Sequence, residues 1–244
     1  TELAVILYFR HDIIRILGAW FGSLFGKEGK DFKSRMGAHN PDTQMGWFII
    51  LGTMPILIAG LLFKHAIEGS LRNLWITVTV LVLFGVLLWV VDARSKQVKT
   101  MKEMTWKDAL IFGIGQMLAL IPGVSRSGGT ITFGRAMGYT REAAVRVSFL
   151  MAIPAVFGAG ILEAVSAVKD VAAGNAGMFP GWGATIAATI VAFVVGYVVI
   201  IGFLKFVSTF SYKAFAIYRI ALAVVVALLL ICGVLHPTEV VAAA

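Results

Sequence analysis

Charge is scarce in this chain, and negative charge is scarcest: 13 Asp and Glu stand against 21 Lys and Arg in 244 residues, while 59% are hydrophobic and the mean hydropathy is +0.89. That balance excludes a soluble globular domain and points to an integral membrane protein. A single cysteine, Cys232, excludes an intramolecular disulfide, a thiolate zinc site and a redox pair. Within its apolar run it reads as a small buried hydrophobe. His11, His39, His65 and His236 show no HxxxH or HExxH spacing, and no GxxxxGKS/T loop occurs. The formal charge of +8 falls in clusters between apolar segments. Such clusters fit cytoplasmic loops beside anionic lipid, so membrane lipids are the expected partners and nucleic acid is not.

What is abundant is apolar sequence in long runs. About 20 apolar residues cross a bilayer. Four runs meet that length, at 46–63, 74–91, 183–204 and 217–235, and a fifth, 143–166, holds its charges near its ends. Residues 1–9 read as the end of a truncated span. Residues 10–45 alternate Ile, Leu, Trp and Phe with basic and small residues, as a cytoplasmic interfacial segment would. Arg219, near the start of the last run, has two readings, a side chain that reaches the site or one that snorkels to the interface, and the interfacial anchor is the preferred one. Residues 108–121 and 130–138 are apolar but too short to cross, and "PGVSRSGG" lies between them. They form an expected re-entrant helix-turn-helix hairpin over 108–138.

The distribution of Lys and Arg gives a second, independent argument. Residues 10–45 carry six and residues 93–107 carry five, against two in 64–73 and Lys169 alone in 167–182. If the hairpin enters and leaves on one side, the basic-rich connections share the cytoplasmic face. The expected fold is therefore a single all-α polytopic membrane domain: five full spans, an N-terminal partial span and a re-entrant hairpin.

The hairpin turn is suited to an anion. Pro122 discourages helix, and Gly123, Gly128 and Gly129 allow a sharp turn with amide N–H groups facing one concavity. A second half-helix starting near Thr130 would point its positive end at the same space. Arg126 offers a planar fork of donors that matches phosphate oxygens. Ser125, Ser127 and Thr130 add hydroxyls, and Asp108 and Glu142 sit too far out along the hairpin to neutralise the arginine. Arg126 therefore calls for an anionic partner, and a phosphate would serve. A plain surface turn in a passive scaffold is the alternative from residue types alone.

At these residues the sequence resembles the bacterial undecaprenyl-diphosphate phosphatases, the family associated with bacitracin resistance. "GIGQMLALIPGVSRSGGTIT" fits that family's PGxSRSxxT signature with its preceding Gln, and the likeness extends through "FLMAIPAVFGA" (149–159) and "AFAIYRI" (214–220). It implies hydrolysis of undecaprenyl diphosphate to undecaprenyl phosphate and inorganic phosphate, in a multi-pass protein of the bacterial plasma membrane with its site facing outward. Carried over position by position, it makes Arg126, Ser125 and Ser127 catalytic. Gly123, Val124, Gly128, Thr130 and Gln116 become substrate-binding residues. The family's acidic (E/Q)xxxE segment and histidine have no counterpart here. The chain is thus expected to hold one half of an inverted-repeat site, the other half lying upstream of Thr1. The divalent cation the family implies, Mg²⁺ or Ca²⁺, would find its ligands outside this sequence. The nucleophile is left open between a serine of the turn and a group of that upstream segment. A lipid flippase or phosphate-binding transporter would use the same arginine and hydroxyls without cleavage.

Overall fold

The computed structural model describes residues 2–27, 29–172 and 181–238. Among them every regular element is helical: α1 (Glu2–Tyr8), α2 (Arg10–Leu24), α3 (Phe32–Arg35), α4 (Pro41–Leu62), α5 (Lys64–Glu68), α6 (Leu74–Arg94), α7 (Trp106–Met117), α8 (Arg126–Ala136), α9 (Arg141–Ala172), α10 (Trp182–Thr209) and α11 (Lys213–Ile231). Five of these, α4, α6, α9, α10 and α11, are long and apolar enough to cross a membrane. The protein is an all-α polytopic membrane protein. On α10, Ile186, Ile190, Val194 and Val198 each leave more than half their surface open, as expected where lipid is the solvent rather than water.

Several helix ends lie a few residues from the expected bounds, α4 starting at Pro41 rather than 46, α10 ending at Thr209 rather than 204 and α11 starting at Lys213 rather than 217. α11 stops at Ile231 rather than 235, because the chain turns back on itself: the Gly233 N–H donates to the Leu230 carbonyl at 3.2 Å and the Val234 N–H to the Leu229 carbonyl at 2.9 Å. This pair of reversed bonds satisfies carbonyls the helix leaves orphaned. Cys232 therefore lies just past the helix and is exposed, not buried as its apolar neighbours suggested. α9 runs on to Ala172, beyond the expected end at 166. Thr1, the sparsely charged connection over 173–180 and the tail from 239 lie outside the described residues.

The chain forms two compact units. The first takes residues up to Trp47 together with 149–206, and aromatic rings organise it: Phe9, 1% exposed, meets Phe149 at 5.8 Å between centroids, and Phe149 meets Phe203 at 6.3 Å. The second takes 48–148 and the chain from Val207. Here α6 and α11 pack along their length on Val78, Ala223 and Leu230. A Cβ at Gly85 would stand 3.3 Å from Ile220 and 3.4 Å from the Ala216 carbonyl, so the glycine sets how closely the two helices approach. Every residue of the expected site lies in this second unit.

Candidate active site

The hairpin is built from α7 and α8, which pack directly on each other. A side chain at Gly129 would collide with the Gly115 carbonyl, so the two backbones touch without intervening side chains. α7 begins with a reciprocal cap: the Asp108 N–H donates to Thr105 Oγ1 at 3.2 Å, and the Thr105 N–H donates to Asp108 Oδ2 at 3.1 Å. With its 12 residues, α7 is about 18 Å long. A 3₁₀ turn over Leu118–Leu120 extends it. α8 starts earlier than expected, at Arg126 rather than near Thr130. Ser125 caps it, its Oγ accepting from the Gly128 N–H at 3.4 Å, so Arg126, Ser127 and Gly128 form the first helical turn.

Two buried polar clusters hold the base. Arg135 on α8 is fully buried and donates from Nε to Asp92 Oδ1 at 2.8 Å, and also to the Tyr139 carbonyl. Arg141, at the start of α9, donates from Nη2 to Asp92 Oδ2 at 2.9 Å, and the Tyr212 amide donates to the same oxygen at 3.1 Å. Asp92 thus ties α6, α8, α9 and the entry to α11 at one point. Removing one member of such a buried cluster costs about 3–5 kcal/mol. The second cluster centres on Asp108, which accepts from the Tyr139 hydroxyl at 2.9 Å and from Lys99 Nζ at 3.4 Å. Burial pushes the Asp108 carboxyl up, but the Tyr139 hydroxyl, Thr105 and the Lys99 charge together hold it below the ordinary carboxylate range.

The tip is made differently. Gly123 takes φ +99°, and a Cβ there would stand 2.7 Å from the Thr77 carbonyl, so only glycine fits against α6. Ser125 takes φ +66° and ψ 127°, a conformation that costs a non-glycine residue about 1–3 kcal/mol. It is exposed, while Arg126 and Ser127 are half-buried. Thr77 is the fourth residue of α6, and it lies about 25 Å along that helix from Arg94. The tip therefore reaches well past the middle of α6, deeper than two half-helices would.

Of the residues expected at the site, the turn gathers Gly123, Val124, Ser125, Arg126, Ser127 and Gly128. Thr130 lies beneath them: it is fully buried, and its hydroxyl donates to the Arg126 carbonyl at 2.8 Å. Gln116 is also fully buried, with neither side-chain polar atom hydrogen-bonded among the described residues. Val124 is buried, and its N–H is spent on the Ile121 carbonyl at 3.2 Å. Sequence reasoning misplaced Arg219. Instead of reaching to an interface, it is 9% exposed and turns inward, donating from Nη1 to the Val124 carbonyl at 2.9 Å and from Nη2 to the Gly123 carbonyl. The available signal was an arginine inside an apolar span, which normally faces the protein interior.

Comparison with known proteins bears on the whole chain. The family described as bacitracin resistance protein BacA matches residues 1–225. A protein of Bifidobacterium adolescentis named undecaprenyl-diphosphatase is 96% identical over 244 residues, covering 100% of this chain and 83% of that protein. One of the same name from Bifidobacterium animalis subsp. lactis is 75% identical over 98% of this chain and 80% of its own length. Another, from Paenarthrobacter aurescens, is 52% identical over 94% of this chain and 79% of its own length.

Proposed function

The chain belongs to the bacitracin resistance protein BacA family, and from that premise we infer that it hydrolyses undecaprenyl diphosphate to undecaprenyl phosphate and inorganic phosphate. This recycles the lipid carrier of cell-wall synthesis. The relatives' shared name supports hydrolysis over a transporter. The observation that carries the site assignment is the tip of the α7–α8 hairpin. There an arginine and two serines open a helix whose first-turn amides have no partners within the helix itself.

Phosphoanhydride cleavage places charge on the oxygens of the transferring phosphoryl group, and fixed donors stabilise it. Arg126 grips the diphosphate with its planar fork. The Ser127 amide in the first turn of α8 and the hydroxyls of Ser125 and Ser127 complete the cradle, while the buried Thr130 holds the Arg126 backbone from below. Among the described residues neither serine is hydrogen-bonded to an imidazole or carboxylate. The role assigned to this hairpin is therefore charge stabilisation rather than proton abstraction. The cation implied by the resemblance does not fit the described residues: no three His, Cys, Asp or Glu come together, and Asp92 and Asp108 are taken by cationic and hydroxyl partners. In this chain the phosphate charge is met by guanidinium and backbone donors.

We read the multi-pass protein as lying in the bacterial plasma membrane with the site open to the extracytoplasmic side. Two features support this orientation. The basic connection 93–107 adjoins the hairpin base, as a cytoplasmic loop would. The tip packs near the opposite end of α6, at Thr77. Replacing Arg126 with Ala should lower phosphate release from undecaprenyl diphosphate by about 10²–10³-fold with the folded protein still recovered. Near-normal turnover would sink the assignment.

A further inference from the structure

A buried arginine with no acid beside it is unusual, and Arg219 is one. It sits on α11 in an apolar span, 9% exposed, and among the described residues no carboxylate pairs with it. Its Nη1 and Nη2 are spent on two successive neutral carbonyls, those of Val124 and Gly123, and its Nε is buried without a partner. Contrast Arg135, fully buried and bonded to the carboxylate of Asp92 at 2.8 Å. A cation left uncompensated in a low-dielectric setting is costly unless an anion arrives to share its field.

The carbonyls it holds are those leading into the strained Ser125. In a trans peptide the C=O and the following N–H point in opposite directions. Fixing the Val124 carbonyl onto Arg219 therefore turns the Ser125 N–H away from α11, to the opposite face of the turn. No described group accepts that N–H. The guanidinium is also close under the first turn of α8: a Cβ at Gly128 would stand 2.9 Å from Nη1. A side chain added at Gly128 would therefore have to displace the Arg219 guanidinium.

We propose that Arg219 is the positioning residue of the diphosphate site, gripping the Gly123 and Val124 carbonyls so that the Ser125 amide faces the phosphate, with its own unpaired charge fixed beneath. The proposal rests on the reading of the hairpin tip as that site. Arg219 does not touch substrate; it acts through the turn.

The test is steady-state phosphate release from undecaprenyl diphosphate by the purified membrane protein and its Arg219→Lys, Gly128→Ala and Arg126→Ala variants, each checked for elution profile and thermal midpoint. Lysine keeps the charge but loses the rigid fork that spans two carbonyls. The expected result is a fall in kcat of roughly tenfold or more with KM within about threefold and the midpoint near that of the parent. Gly128→Ala should reproduce that loss, and a variant carrying both Arg219→Lys and Gly128→Ala should lose no more than the worse of the two, because both act through one contact. Arg219→Lys with parental kcat, or with a loss that lies in KM or tracks unfolding, overturns the proposal while an inactive Arg126→Ala leaves the site reading standing. An active Arg126→Ala overturns the site reading itself. Should Arg219→Lys fail to fold, Gly128→Ala decides: a lowered kcat at an unchanged midpoint supports the proposal, and a parental kcat overturns it.

Discussion

The two ends of the α7–α8 hairpin handle buried charge in opposite ways. At the base, Asp92 receives Arg135, Arg141 and the Tyr212 amide, and Asp108 receives Tyr139, Lys99 and the Thr105 amide. At the tip, Arg219 holds only carbonyls, and Arg126 opens a helix N-terminus. Pairing acids with bases consumes charge to fix four helices in place. Among the described residues the Arg219 guanidinium meets only carbonyls, so its charge is not cancelled at the tip. The diphosphate site proposed at the tip calls for the second kind, and the tip stands on a base of the first.

The base depends most on Asp92. Asp92→Ala would strand a fully buried Arg135 and free Arg141, and should cost about 3–5 kcal/mol of stability. Thermal unfolding of the purified variant in detergent measures this. A midpoint near that of the parent would mean that the base is not the rigid platform described.

At the tip the expected loss is smaller in stability and larger in turnover. Gly123→Ala forces a side chain into φ +99° and against the Thr77 carbonyl, at a cost of about 1–3 kcal/mol. Because the strain falls on the turn that carries Ser125 and Arg126, kcat should drop by about tenfold or more even where the protein remains folded. Parallel melting and phosphate-release measurements separate the two effects. A variant that is destabilised yet fully active would show that the shape of the turn is not what catalysis uses.

The same contrast explains what could be read from sequence. The hairpin was legible because its two apolar pieces are too short to span and because basic residues crowd one side. Its ends came within a few residues of α7 and α8. The signature around Arg126 was legible because the turn is contiguous. The start of α8 was misjudged, since glycines at 128 and 129 look like loop until Ser125 is seen to cap a helix. Pairings across distance were not legible: Asp92 meets Arg135 over 43 residues and Tyr212 over 120, and Arg219 meets Gly123 over 96. Periodicity places residues on faces but does not say which faces meet.

Hydrogen bonds and the Lys99 charge hold Asp108 below the ordinary carboxylate range despite its burial. A group whose folded pKa is depressed adds stability above its unfolded value, near 4 for an aspartate, and loses that contribution as pH falls through the folded value. Acid should therefore loosen the α7 cap and the Tyr139 contact, with no change on the alkaline side from this group. Tyr139→Phe removes the hydroxyl, 2.9 Å from Oδ2, that favours the ionised form. It should cost about 0.5–1.5 kcal/mol at neutral pH, and the gap between variant and parent should narrow below about pH 4, as the carboxylate the hydroxyl serves is lost. Melting curves across that range read both quantities. A gap that stays constant with pH would make Tyr139 a packing residue of the base rather than part of its charge pairing.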